Sequence, residues 1–226
     1  STASNVCFGD WGHDLGGHQQ GPTTKDPNDA ELYLRWMQFG VFSPIFRTHA
    51  CNDASIERRI WKFSNFNKLR DVVKLRYQFI PYIYTAARQA YDTGVSICRP
   101  LYYDYPESDE AYSFEDEYQF GDQILVAPIT SPMRADGRAW RQIWLPEGSW
   151  FDVSCNKMRE GGQTIKEGYT DVQIPYFYKA GCIIPMYASN ITHLKSRPNR
   201  MVLQVVPGSD GTGTLYEDEN NTENYM

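Results

Sequence analysis

The sequence predicts an α/β fold with a parallel sheet in its first part and an antiparallel β fold in its second part. Residues 1–94 alternate short apolar runs with helix-like segments, in the order strand, polar loop, helix, strand, polar loop. This is the pattern of βαβ units. Residues 95–226 carry short apolar runs between frequent turn signals, which is typical of an antiparallel β-domain.

The first βαβ unit begins with an apolar run at residues 5–8, which we interpret as a short buried strand within residues 1–10. The segment from Asp29 to Phe39 has apolar side chains at helical spacing. Asp26 or Asn28 is the expected N-cap of this helix.

Gly40 is expected to end the first helix, and the apolar run at 41–45 predicts the second strand. A longer helix is predicted from Asn67 to Thr93, closed by Gly94. Pro81 lies inside this segment and lacks an N–H group, so the helix should kink or divide there.

The second part contains three apolar runs that predict buried strands and a fourth that begins another strand, and its residues 187–200 are polar and linker-like. The predicted strands are 123–129, 142–145, 181–185 and 201–206, followed by a hairpin with an acidic end from Gly211 onwards. The predicted domain ranges are therefore 1–94, 95–186 and 187–226.

Two polar motifs follow the two predicted strands of the parallel sheet, WGHDLGGH at 11–18 and FRTH at 46–49. Both should lie at the same end of the sheet, where ligand contacts gather in a parallel α/β barrel. Gly16 and Gly17 permit backbone angles and close approaches that other residues forbid.

The side chains of these motifs have a functional and a structural interpretation. Asp14 can accept hydrogen bonds from hydroxyl groups of a ligand, or it can stabilise its own loop. His49 suits a vicinal diol because imidazole both donates and accepts, or it is a buried core histidine. Arg47 is expected on the same face of a strand as His49. It can bind substrate there, or it can hold an acidic neighbour. Trp11 either lines the pocket or packs in the core.

The composition excludes some classes of partner. A net charge of −6 without a basic run argues against nucleic acid and against an anionic membrane surface. No apolar run approaches the roughly 20 residues of a membrane span. The five cysteines are dispersed without a C-x-x-C pair, so no metal site is predicted.

Six motifs in the same order resemble glycoside hydrolase family 31, the α-glucosidase and α-xylosidase family. They are HDLGGH, ELYLRWMQFGVFSPIFRTH, KLRYQFIPYIYTAARQAY, RPLYYDYP, DEYQFGDQILVAPI and GTLYEDENNTENY. The resemblance implies the C-terminal portion of a (β/α)8 TIM barrel, an antiparallel β-sandwich-like domain and the start of another β-domain. It also implies an oligosaccharide or α-glycoside substrate, no organic cofactor, and the remainder of the catalytic barrel as a structural partner.

For the site, the resemblance implies that Asp14 and His49 contact the sugar that is cleaved off. His18 replaces the Phe of many relatives, although a subset of bacterial members carries His, and this leaves the substrate open. The family retains configuration, with a nucleophile in a W-x-D-x-N-E-type motif and an acid/base aspartate in another. Neither motif is present here, so we predict no catalytic residue in this chain. Asp10 is likewise not predicted to be catalytic.

The competing hypothesis is a non-catalytic carbohydrate-binding β-domain. Under this hypothesis, exposed aromatic residues of the tyrosine-rich part after residue 95 would bind glycans without hydrolysing them. Because the residues that select among α-glucosides, α-xylosides and α-galactosides lie largely outside this chain, neither hypothesis identifies the sugar. The residues predict no compartment.

Overall fold

The computed structural model describes residues 2–19, 25–191, 193, 194, 198, 200–219 and 222. The helices in this part of the chain are α1 (Ala30–Val41), α2 (Phe66–Gln78), α3 (Ile80–Thr93) and α4 (Asp109–Ser113). The strands of the first part are β1 (Gly12–Leu15) and β2 (Ile45–Thr48). The remaining strands are β3 (Cys98–Pro100), β4 (Tyr118–Phe120), β5 (Ile124–Val126), β6 (Ala139–Leu145), β7 (Ser149–Asp152), β8 (Lys157–Glu160), β9 (Gln163–Tyr169), β10 (Tyr176–Lys179), β11 (Ile183–Tyr187) and β12 (Met201–Val205).

The first strand does not lie where the apolar run predicts it. Thr2–Val6 forms a 3₁₀ turn, and Val6 and Phe8 are 77% and 58% exposed. The strand is β1, seven residues further on, where Leu15 is fully buried. The strand prediction at residues 5–8 was wrong because that apolar run meets no core in this structure. Asp14 therefore lies within the C-terminal end of a strand.

Helix α1 is confirmed, but both of its predicted ends need correction. Its N-cap is Asp29, whose carboxylate accepts a hydrogen bond from the Leu32 N–H at 2.9 Å. Gly40 lies inside the helix, where a Cβ would come within 2.7 Å of the Leu15 side chain. The glycine is thus required by helix–strand packing, and the run at 41–45 divides between the helix end and β2.

Strands β1 and β2 pair in parallel, with Asp14 opposite Arg47. The described residues contain this two-stranded parallel sheet and no closed barrel. The predicted long helix is divided as expected: Pro81 lies in the first turn of α3, directly after α2 ends. Gly94 ends α3 in the left-handed conformation, with φ of 75°, which confirms the predicted terminus.

The second part is an antiparallel β-domain, as predicted. Six strands pair in the order β3-β4-β5-β10-β7-β8, while β6 pairs with β9 and β11 pairs with β12. Strands occur within all four predicted apolar runs. The predicted hairpin is not found over residues 211–219, and its remainder lies largely outside the described residues.

Alternate side chains of the six-stranded sheet point into two different cores. Phe120, Ile124 and Tyr178 pack with the helices of the first part. Leu125 and Phe177, one residue out of phase, pack against the β6–β9 pair. Because successive side chains of a strand point to opposite faces, the sheet lies between the helices and a second β layer. No described helix has the length and apolarity to span a bilayer.

Arg76 of α2 fixes the turn that leads from α1 into β2. Its buried guanidinium donates hydrogen bonds to the carbonyls of Val41 and Pro44, each at 2.7 Å, and to that of Ser43. Burial lowers the pKa of Arg76 to about 10. The hydroxyl of Tyr118 donates to the remaining carbonyl of the turn, that of Phe42, at 2.9 Å. The start of β2 is thereby attached to α2 and to the β-domain.

A second set of contacts joins α1 and α2 to the loop after β9. The guanidinium of Arg35 donates to the carbonyls of Thr170 and Gln173, each at 3.1 Å. The Gln38 amide donates to the Asp171 carbonyl at 2.6 Å, and Lys68 pairs with the Asp171 carboxylate. The two parts of the chain are therefore joined by polar contacts as well as by a shared apolar core.

We expect Arg76→Ala to destabilise the fold by about 3 kcal/mol or more, because it leaves buried carbonyls without donors. The free energy of unfolding in urea measures this change. Arg70→Ala is the matched control, since Arg70 is on the same helix and its side chain is 46% exposed beside Asp71. Equal stability of the two variants would contradict the assigned role.

Glu117 is a buried carboxyl group between β4 and β6, only 1% exposed. Its Oε1 accepts from the Trp144 N–H at 3.1 Å, its Oε2 has no hydrogen-bond partner among the described residues, and Arg141 is 4.0 Å away. Burial outweighs these favourable contacts and raises the pKa of Glu117 from 4.5 to about 8. The folded state therefore favours the neutral acid.

The stability of the wild type should fall as pH rises from about 4.5 to about 8, because the unfolded state loses the Glu117 proton first. Glu117→Gln keeps a neutral group there and should remove up to ~1.4 kcal/mol of this loss per pH unit. Urea unfolding over a pH series tests this, with exposed Glu115→Gln as the control. Parallel pH profiles for the wild type and Glu117→Gln would rule it out.

Candidate functional site

Four of the five predicted site residues lie together at the C-terminal ends of β1 and β2. Asp14 and Arg47 are opposite each other in the parallel pair, and both point away from the helices. His18 follows the Gly16–Gly17 turn, and His49 directly follows β2. Neighbouring parallel strands end at the same edge of a sheet, which explains why motifs about 30 residues apart in sequence meet.

The Asp14 carboxylate is the centre of this group. Its Oδ1 accepts a hydrogen bond from Arg47 Nη2, and its Oδ2 lies 3.8 Å from His18 Nδ1. The Asp14 and Arg47 side chains are 29% and 59% exposed, so solvent screens their attraction. The ion pair holds the carboxylate through Oδ1, while Oδ2 lies toward His18. Of the two roles predicted for Arg47, the geometry favours the one that holds an acidic neighbour.

The rings of His18 and His49 stack, with centroids 4.8 Å apart and an angle of 17° between their planes. The carbonyl of His18 accepts a hydrogen bond from the Cys51 N–H at 2.8 Å, which joins the loop after β1 to the loop after β2. Two imidazoles and one carboxylate thus present donors and acceptors on one partly exposed surface. This set suits the hydroxyl groups of a sugar.

Asp14, His18 and His49 also offer three atoms of metal-ligand type, all within 4.8 Å of one another. Two features of the geometry favour hydrogen bonding over coordination. Arg47 already binds Asp14 Oδ1, which places a cation beside any metal. Imidazole lone pairs lie in the ring plane, so two nearly parallel rings do not direct them at one point.

Trp11, the fifth predicted residue, lies apart from this group. Its ring packs against those of Phe39 and His13 at centroid distances of 6.3 and 5.8 Å, on the helix side of the sheet. Its buried Nε1 has no hydrogen-bond partner among the described residues. This position favours the packing interpretation of Trp11 over a place in the pocket wall.

His13 is a packed structural residue. Its Nδ1 accepts a hydrogen bond from Trp36 Nε1 at 2.8 Å, so Nε2 carries the proton toward Ser43 Oγ at 3.0 Å. Burial lowers the pKa of His13, which keeps this neutral tautomer. The side chain fixes β1 against α1 from behind the site.

Arg58 is a residue of the site region that sequence reasoning missed. It lies in the loop after β2, only 8% exposed, with its side chain against the Gly16–Gly17 turn. Gly16 and Gly17 have φ of 90° and 87°, and a Cβ on Gly16 would come within 2.3 Å of Arg58 Cδ. The glycine pair predicted a close approach, and the guanidinium is the group that approaches.

A cavity of about 670 Å³ opens beside His49, between β2 and the segment 54–61. Its walls combine Thr48 and His49 with apolar residues such as Ile56 and Trp61. Trp61 is 63% exposed there. The site is thus open on its β2 side.

The geometry of the group favours binding over catalysis, because its single carboxylate is paired with Arg47. Retaining glycoside hydrolysis needs two carboxyl groups about 5–5.5 Å apart, a nucleophile and an acid/base. Among the described residues, this group contains one.

The chain is similar to several carbohydrate-active proteins over almost its whole length. It is 34% identical to the 1,6-alpha-glucosyltransferase of Sporosarcina globispora and 32% identical to the alpha-xylosidase of Saccharolobus solfataricus, in each case over 95% of the chain. It spans only 17% and 29% of these two relatives.

Solved structures give the same result for the fold. A GH31 dextranase of Flavobacterium johnsoniae complexed with isomaltotriose has a TM-score of 0.85 at 32% identity, covering 99% of this chain and 28% of that one. A cycloalternan-forming enzyme of Listeria monocytogenes, in complex with a pentasaccharide substrate, has a TM-score of 0.84 at 31% identity, covering 98% and 22%.

The family models agree with the motifs and with these relatives. Residues 2–86 match the TIM-barrel domain of glycosyl hydrolases family 31, and residues 94–184 match the C-terminal domain of the same family. Together the two matches cover most of the sequence and follow the order of the α/β part and the β-domain in the structure. The chain therefore belongs to glycosyl hydrolase family 31.

Proposed function

We propose that this chain is part of a retaining α-glycosidase that releases terminal α-linked sugars from oligosaccharides, and that it supplies substrate-pocket residues. The observation that carries the proposal is the convergence of Asp14, Arg47, His18 and His49 at the ends of two adjacent parallel strands. Relatives named as a dextranase, an alpha-xylosidase and alpha-glucosidases support the chemical class of substrate.

Each residue has a distinct proposed role. Asp14 accepts hydrogen bonds from hydroxyls of the sugar that is cleaved off, and Arg47 keeps the carboxylate oriented. His49 both donates to and accepts from a vicinal diol. His18 stacks on His49 and limits how that imidazole can turn. Trp11 supports the site from behind through Phe39 and His13.

The bond-breaking carboxyl groups belong, in this proposal, to the remainder of the catalytic barrel. Residues 1–94 are the C-terminal portion of that barrel, 95–186 a β-sandwich-like domain, and 187–226 the start of another β-domain. The outer edges of β1 and β2 have no strand partner among the described residues, so further parallel strands can join there. The cavity beside His49 lies along this open side.

A non-catalytic carbohydrate-binding β-domain is the alternative, and one feature favours it. Tyr102 and Tyr112 stack at 5.1 Å and 9°, and Tyr112 is 52% exposed. However, Asn5 and the Pro106 carbonyl already bind the hydroxyls of this cluster. Glycan titration of residues 95–226 separates the two ideas: binding there supports the module, and binding that requires Asp14 and His49 supports the pocket.

We expect Asp14→Asn, in the full-length enzyme, to lower kcat/KM for an aryl α-glycoside by about 10- to 100-fold. This is the usual loss when a hydrogen bond to a charged group is removed. Asp10→Asn is the matched control, being the same change at an exposed position four residues earlier. If the two variants behave alike, Asp14 does not contact the sugar.

The chain by itself should bind sugar weakly and hydrolyse no aryl α-glycoside, because the described group at the ends of β1 and β2 contains one carboxyl group and hydrolysis needs two. Incubation with a panel of aryl α-glucosides, α-xylosides and α-galactosides measures this. Specific hydrolysis by the isolated chain that vanished in Asp14→Asn would refute the assignment of binding without catalysis.

A further inference from the structure

We propose that Arg58 is a positioning residue that fixes the Gly17–His18 segment and thereby sets the sugar-binding geometry of the site. The consequence for sugar rests on the proposed function, whereas the positioning itself does not. Arg58 touches none of the groups assigned to the sugar, so it would act through the backbone of the loop after β1.

The contacts of the Arg58 guanidinium join both ends of that loop. Nε donates to the Gly17 carbonyl at 3.3 Å, next to His18. Nη1 donates to the Pro27 carbonyl at 2.9 Å, two residues before the cap of α1, and also lies near Asn28 Oδ1 at 3.4 Å. The same nitrogen binds the Glu57 carbonyl in the loop after β2 at 2.5 Å. One side chain therefore holds the loop after β1 at both ends and joins it to the loop after β2.

The chemistry of this arrangement is that of a structural clamp. Arg58 is buried, and its described acceptors are neutral carbonyl and amide oxygens rather than a carboxylate. Burial of a cation is costly, and apolar residues of similar volume often pack as well or better. A guanidinium in this position supplies what an apolar side chain cannot, which is several directional donors that select one loop conformation.

The backbone of Arg58 is fixed from the helix layer. Its carbonyl accepts a hydrogen bond from the Tyr33 hydroxyl at 2.7 Å, and its guanidinium lies over the Tyr33 ring at 5.7 Å. Tyr33 is a buried residue of α1. Arg58 is thus attached to α1. The same helix packs on β1 through Gly40 and Leu15.

Two backbone hydrogen bonds can be used to test whether Arg58 holds the Gly17–His18 segment in place. The Gly17 N–H donates to the Asp14 carbonyl at 2.7 Å, and the Cys51 N–H donates to the His18 carbonyl at 2.8 Å. Both connect groups of the site to the loop that Arg58 holds. If Arg58 is the clamp, its removal should open these two bonds while the rest of the core stays closed.

The first experiment is hydrogen exchange on the full-length protein, comparing Arg58→Gln with Arg59→Gln. Arg59 is the next guanidinium in sequence, but its side chain is 61% exposed and paired with Glu57. We expect exchange at Gly17 and Cys51 to rise about tenfold or more in Arg58→Gln only, with α1 and the β-domain unchanged. Equal exchange in the two variants overturns the proposal.

The second experiment separates positioning from general damage by steady-state kinetics on aryl α-glycosides. Loss of the clamp should raise KM about tenfold while kcat stays within about twofold, since substrate binding must then order the loop. A purely structural defect would lower the active fraction, and so kcat, without moving KM. That result overturns the proposal.

Arg58→Lys keeps the charge with a single ammonium, and should lie between the wild type and Arg58→Gln in both exchange and KM. This variant remains informative if Arg58→Gln fails to fold. Absence of turnover and of sugar binding in the wild type would refute the proposed function alone, because the exchange comparison still decides whether Arg58 holds the segment.

Discussion

The structure of the site depends on where β2 begins, and Arg76 determines that. A strand can present Arg47 to Asp14 only if it enters the sheet in one register, since a slip of one residue would reverse its faces. The turn before β2 exposes its carbonyls to a buried region, where they need donors. Arg76 and Tyr118 supply those donors from a helix and from the β-domain. The register is therefore fixed by contacts outside the βαβ unit.

The β-domain is joined to the first part by a shared apolar core and by polar contacts. The six-stranded sheet presents alternate residues to the helices, and Arg35 and Lys68 bind the loop after β9. With only two parallel strands in the described residues, the sheet itself cannot hold α1, α2 and α3 in place. The β-domain does so through the apolar core that it shares with the helices and through the loop after β9.

Sequence reasoning predicted the order of elements well and their boundaries less well, for identifiable physical reasons. Pro81 and Gly94 act locally through a missing N–H and a left-handed backbone, so their effects were predictable. Gly40 acts through a tertiary contact with Leu15, and an apolar run at 5–8 finds no core to bury it. Neither fact is visible in a local pattern. The same holds for the site: spacing predicted Asp14, Arg47 and His49 at one edge, but not the stacking of His18 or the approach of Arg58.

Binding and bond cleavage fall on different parts of such a fold because of its topology. Each parallel strand contributes one or two side chains at its C-terminal end, so a pocket requires several strands and a catalytic pair requires strands on opposite sides of the substrate. Two neighbouring strands supply neighbouring side chains, as Asp14 and Arg47 do, and these neutralise each other. A carboxylate in an ion pair with the adjacent strand is suited to hold a hydroxyl group, whereas a nucleophile and an acid must face each other across the bond. In the function proposed here, the arrangement of β1 and β2 therefore suits this chain to recognition of the sugar.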